Sequence, residues 1–134
     1  MSSVQTIVKG SCNCGAVQYK ITGTHLMAVN CHCQDCREAH GSPYTHVIVY
    51  DYEQVQWTKG EENLNRYDRR GSNRRTFCKV CGTPMCSDLY KGKKFAFFAP
   101  SAREGKFPAP TGHIYTNEAC SYQSMPGDKL PIMS

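Results

Sequence analysis

Cys31-His32-Cys33-Gln34-Asp35-Cys36 sets three thiols within six residues, too close in sequence to serve three separate structural jobs. Two cysteines one residue apart, with a third three residues later, can turn their sulfurs toward one point. Converging thiolates make a soft-metal site, and zinc is the default occupant. Three protein ligands leave the fourth tetrahedral position open, and an open position is what separates catalytic zinc from structural zinc. The remaining cysteines decide whether it stays open.

Working outward, seven of the nine cysteines fall in three groups: Cys12/Cys14, the central triple, and Cys78/Cys81. A secreted disulfide scaffold fits poorly, because the count is odd, the chain is longer than such scaffolds and no export signal is visible. Short gaps suit metal knuckles in a reducing compartment. The two pairs each lack two ligands; joined, Cys12, Cys14, Cys78 and Cys81 make a closed structural site. The triple Cys31, Cys33 and Cys36 is then left three-coordinate. Closing a loop of more than sixty positions constrains the unfolded chain by roughly 4 kcal/mol on the cross-link model. Cys86 reads as a small core hydrophobe and Cys120 as an unpaired tail thiol.

The 134 residues fit a single domain, with 40% hydrophobic and 20% charged content, an ordinary globular composition. A formal charge of +5 favours an anionic small molecule over a dedicated nucleic-acid partner. The opening residues carry no apolar run of signal-peptide length, and no stretch approaches a membrane span. A soluble, cytoplasmic protein is expected.

Short β-rich runs separated by turn signals about every ten residues predict a mostly β fold. Strands are expected over Val4 to Lys9, ending at Gly10, and over Ala16 to Ile21, with Val17, Tyr19 and Ile21 on one buried face. His25 to Asn30, Tyr44 to Tyr50, Val55 to Thr58, Leu64 to Tyr67 and Arg74 to Phe77 continue the pattern. Met85 to Tyr90, Lys94 to Phe98 and His113 to Thr116 complete it. Cys36 to His40 reads as one helical turn, broken at Gly41-Ser42-Pro43. After Pro100 the chain reads as loop, and residues 117–134 as an irregular surface tail.

Three motifs in order carry a resemblance: Gly10-Ser11-Cys12-Asn13-Cys14-Gly15-Ala16-Val17, Cys31-His32-Cys33-Gln34-Asp35-Cys36-Arg37 and Phe77-Cys78-Lys79-Val80-Cys81-Gly82-Thr83-Pro84. The chain resembles the glutathione-dependent formaldehyde-activating enzyme family, which includes centromere protein V type domains, over about residues 10–115. The resemblance implies a β-tent fold shared with zinc-dependent Rab-binding regulators. It implies two zincs, one structural on Cys12, Cys14, Cys78 and Cys81, the other catalytic on Cys31, Cys33 and Cys36. It also implies carbon–sulfur lyase chemistry on a glutathione adduct of a small aldehyde such as formaldehyde. His113-Ile114-Tyr115 is similar to the family's late histidine step; beyond it the family often carries a tryptophan where this chain has Cys120-Ser121-Tyr122.

A thiol entering the open position would be held as thiolate, and its addition to a carbonyl needs a proton shuttle. His32, Asp35 and His40 are the candidates by proximity, against a plainer reading as a solvent-facing spacer, a turn acceptor and a packing residue. His46 reads as structural, and His113 as a satisfied surface histidine rather than a metal neighbour. Arg66, Arg69, Arg70, Arg74 and Arg75, with Lys79, form a basic run. It reads as a solvated strand edge, as a clamp for the carboxylates of glutathione or a related thiol, or as a phosphate contact. The competing function is a zinc-stabilised module without turnover, contacting a protein or nucleic acid through residues 66–79.

Overall fold

Successive side chains of a strand point to opposite faces, and that alternation organises this molecule. The structure, a computed structural model, describes residues 6–68 and 73–134. Its strands are β1 (Ile7–Ser11), β2 (Gln18–Thr22), β3 (Met27–Cys31), β4 (Thr45–Asp51), β5 (Val55–Lys59) and β6 (Leu64–Asp68). β7 (Asn73–Cys78), β8 (Pro84–Leu89), β9 (Lys94–Phe98), β10 (Ala102–Glu104) and β11 (His113–Ile114) follow. One sheet has the order β10-β1-β2-β5, the other β11-β3-β4-β9-β8-β7-β6. The named strand pairs are antiparallel except β11–β3. The mostly β, single-domain expectation describes this chain.

The larger sheet buries both faces. Ile48, Tyr50, Phe95, Phe97, Met85 and Cys86 face one core, packed with Val8, Val17, Tyr19 and Ile21 of the smaller sheet. Val29, Val47, Ala96 and Phe98 face a second core that includes Cys31 and Cys36. Since β-sheet partners that lie opposite each other share a face, the pairing carries this division across the strands. Tyr67, Arg75, Ser87 and Ala96 form one row, whereas Asp68, Arg74, Asp88 and Phe95 form the next.

Several expectations need correction. β1 runs through Gly10 to Ser11, while Val4 and Gln5 lie outside the described residues. Gly10 is there for close approach rather than termination: a Cβ would collide with the Tyr19 ring and the Ser101 carbonyl. That space lets the Tyr19 hydroxyl meet Ser101 Oγ at 2.5 Å. The stretch after Pro100, expected as loop, contributes β10 to the smaller sheet, too short a strand to show a period. The helix α1 spans Gln34–His40, two residues earlier than expected. Cys33 is its N-cap, its sulfur accepting from Cys36 N–H at 3.3 Å, a cap that composition rules do not favour. Gly41 closes it at φ +60°, its N–H bonding Arg37 O at 2.8 Å.

The tail is irregular but pinned. His113 N–H bonds Pro131 O and Met133 N–H bonds His113 O, both at 2.8 Å, so Ile132 sits in a parallel bridge beside β11. Among the described residues no helix is long and apolar enough to cross a membrane.

Candidate functional site

Two turns of similar construction bring four thiols together. Cys12 and Cys14 lie between β1 and β2; Cys78 ends β7 and Cys81 lies in the turn to β8. Each turn closes on a glycine in the left-handed region, Gly15 and Gly82, both at φ +81°. Val17 N–H points at Cys12 Sγ (3.3 Å) and Val80 N–H at Cys78 Sγ (3.4 Å). The Thr83 hydroxyl, 3.1 Å from Cys81 Sγ, helps pull that thiol down to about 5. All four sulfurs lie within 4.8 Å of one another, with Cys12–Cys14 at 3.6 Å and Cys14–Cys78 at 3.9 Å. A tetrahedral ion bound at about 2.3 Å has sulfur–sulfur edges of about 3.8 Å. The spacing fits.

The triple forms where three elements meet: Cys31 ends β3, Cys33 caps α1 and Cys36 occupies its first turn. Their sulfurs also lie within 4.8 Å of one another. Cys31 and Cys36 are buried. Such neighbours cannot ionise independently. Cys33 ionises far below the ordinary thiol range because Cys31 and Cys36 donate to its sulfur, and Cys31 is pushed well up by the same contacts. The second and third negative charges need a cation among them. A soft dication bound by three thiolates meets that need.

The other predicted residues divide. His32 is 3% exposed and His113 is 0% exposed, which overturns the expectation of a surface His113. His32 Nε2 and His113 Nδ1 are 2.9 Å apart, and His113 Nε2 lies 3.1 Å from Asp128 Oδ2. His46 is structural as expected, each ring nitrogen facing a backbone carbonyl, Val29 O at 3.2 Å and Pro108 O at 2.8 Å. His40 stacks edge-on against Phe98 at 4.3 Å, with Nε2 buried and unpartnered. Burial, aided by the Arg75 charge, pushes its pKa down to about 4. Asp35 is half-buried and lines a cavity of about 180 Å³ with Glu38, Ala39, Tyr67 and Arg75.

Sheet alternation splits the arginine run. Arg74 Nη2 donates to Asp88 Oδ2 at 2.8 Å, Asp88 also accepts from the Tyr52 hydroxyl, and the guanidinium covers Tyr90. Arg66 is exposed and lines a cavity with Arg74 and Asp88. Arg75 points to the α1 side, 8% exposed, and its charge favours ionised Cys33 and Cys36. Arg69 and Arg70 lie outside the described residues. Cys86 is fully buried core, and all nine cysteines are free thiols.

Comparisons with known proteins agree with this geometry. An uncharacterized lyase of Schizosaccharomyces pombe is 29% identical over 85 residues, which cover 63% of this chain and 60% of that protein. The chain therefore spans less than two thirds of that relative's length. A crystal structure of a Rhodobacter sphaeroides protein superposes with a TM-score of 0.60 at 24% identity, covering 75% of this chain and 91% of that one. It shares the fold. The pattern of the glutathione-dependent formaldehyde-activating enzymes matches residues 7–118, both cysteine clusters included, and the chain belongs to that family.

Proposed function

We propose that the protein is a zinc-dependent carbon–sulfur lyase acting on the adduct of a small thiol and a small aldehyde. Glutathione and formaldehyde are the partners the family name suggests. The observation that carries the reading is the unequal pair of thiol clusters: four sulfurs that complete a tetrahedron, and three that leave one corner. Zinc bound by Cys31, Cys33 and Cys36 would hold an entering thiol as its nucleophilic thiolate.

The chain's own groups supply the rest. In the lyase direction the adduct's hydroxyl gives its proton to a base, the carbonyl forms, and the carbon–sulfur electron pair leaves with sulfur. Asp35 and His40 are the two candidates for that base, Asp35 lining a cavity and His40 with an unpartnered Nε2. His32, bonded to His113, supports the ligand loop. Cys12, Cys14, Cys78 and Cys81 would hold the structural zinc that ties the β1–β2 turn to the β7–β8 turn. Clustered free thiols fit a reducing compartment such as the cytoplasm. A macromolecule-binding face along residues 66–79 gains no support, because Arg74 and Arg75 sit on opposite sides of the sheet.

Calorimetry with glutathione, on zinc-loaded wild type and on Cys33→Ser, tests the reading. Binding is expected in the first and not in the second. Equal heats from both would remove the three-cysteine site from the chemistry.

A further inference from the structure

Arg75 is a buried cation with donor capacity left over. Its Nη1 reaches Ser87 Oγ at 3.3 Å, its Cζ lies 5.7 Å from the Phe98 ring centre, and its Nη2 is buried without a partner. Leaving such a donor unmade is costly, the more so for a charged group. Arg74 spends its charge on Asp88; Arg75 has no such carboxylate in contact among the described residues.

The guanidinium borders a cavity of about 300 Å³ whose walls include Ala39, Tyr67, Phe77, Pro84 and Phe98. That size lies at the small end for ligand sites. Arg75 belongs equally to the neighbouring cavity beside α1, where Asp35 and Glu38 stand. The Phe98 ring that the guanidinium approaches packs in one cluster with Cys31 and Cys36. Arg75 therefore lies between an apolar cavity and the side of the sheet that carries the thiol cluster.

We infer that Arg75 anchors the carboxylate of a small monocarboxylate thiol, the mercaptocarboxylic acid class, whose carbon body fills the apolar cavity. This deepens the thiol-adduct reading and rests on it. One buried guanidinium matches one carboxylate, bidentately if Nη2 and a second N–H both engage. A tripeptide thiol brings two carboxylates and an ammonium to walls made largely of carbon. The site favours the smaller acid.

The charge of the thiol cluster sharpens the test. A dication held by three thiolates has a net charge of −1, which by itself disfavours an anionic thiol. A preference for acid over amide must then come from a local cation.

Titration calorimetry of the zinc-loaded protein with 3-mercaptopropionate, 3-mercaptopropionamide and glutathione measures that preference directly. The acid is expected to bind about tenfold or more tighter than the amide, in keeping with a charge-assisted contact. It is also expected to bind tighter than glutathione. Arg75→Met, similar in length but uncharged, should bring acid and amide to equal affinity, and Arg75→Lys should restore part of the difference. Equal binding of acid and amide to the wild type overturns the anchor while leaving the thiol site intact. So does an Arg75→Met variant that weakens both thiols alike, since Arg75 then serves the metal cluster alone. Tighter binding of glutathione than of the acid overturns the substrate class. If no thiol binds at all, the thiol-adduct reading itself fails. Should Arg75→Met not fold, the wild-type acid-to-amide ratio and Arg75→Lys still decide.

Discussion

His32 Nε2 and His113 Nδ1 are joined by a buried 2.9 Å hydrogen bond across 81 positions of sequence. Asp128 anchors its far end: a carboxylate only accepts, so His113 Nε2 carries a proton toward Asp128. Burial, then the His113 and Arg37 charges, holds His32 below its ordinary pKa and keeps it neutral. The residue between Cys31 and Cys33 is thus tied to the C-terminal segment.

Asp128→Ala should therefore act at a distance. It removes the carboxylate that accepts from the buried His113 Nε2–H, and so loosens the pinned tail. Thermal unfolding should show a lowered midpoint, with Asp128→Asn retaining part of the loss as an acceptor without charge. The looser β11–β3 edge should also weaken metal at the triple. With cobalt substituted for zinc, the thiolate charge-transfer intensity of the three-cysteine site should fall while that of the four-cysteine site stays.

The two clusters should fail differently. Cys12→Ser or Cys81→Ser removes a ligand joining turns that are distant in sequence, and should give insoluble or unfolded protein. Binding energies of structural zinc, about 10–16 kcal/mol, match a domain's whole stability. Cys33→Ser should stay folded and lose one metal. Soluble yield and circular dichroism separate the outcomes, and identical behaviour would reject the four-plus-three division.

Much of this was readable from residues alone, for physical reasons. Thiols at short spacing must converge, so the cluster memberships follow from counting. Val17, Tyr19 and Ile21 alternate against a core, so β2 shows its period. His113 hid because its burial depends on pairing with residues 131–133, a contact with no local pattern. β10 hid because three residues carry no period. The splitting of Arg74 from Arg75 did have a signal: neighbours within a strand cannot share a face. The N-cap of α1 went unread because its acceptor is a sulfur.

Metal content should follow the ligand count. Protein purified under reducing conditions without chelator should carry up to two zincs per chain by elemental analysis. A competing chelator should take the three-cysteine metal first, because three ligands hold less firmly than four. Simultaneous loss of both metals, or protein with intact disulfides and none, would contradict the assignment.

Acid should destabilise the fold through His40. Its folded pKa of about 4 lies below the ordinary 6.5 of an unfolded histidine, with burial the main cause and the Arg75 charge adding to it. Between those values the unfolded chain binds more protons, so stability rises with pH. The contribution is fully present above about 6.5, is lost as pH falls toward 4, and changes no further below that. Thiolate protonation also releases metal in acid, so the informative quantity is a difference. His40→Phe removes this titration and keeps a ring against Phe98. The stability of wild type relative to His40→Phe, from urea unfolding at fixed zinc, should decline from pH 6.5 to 4. A difference independent of pH over that range would place His40 in solvent contact and remove it as a buried neutral base.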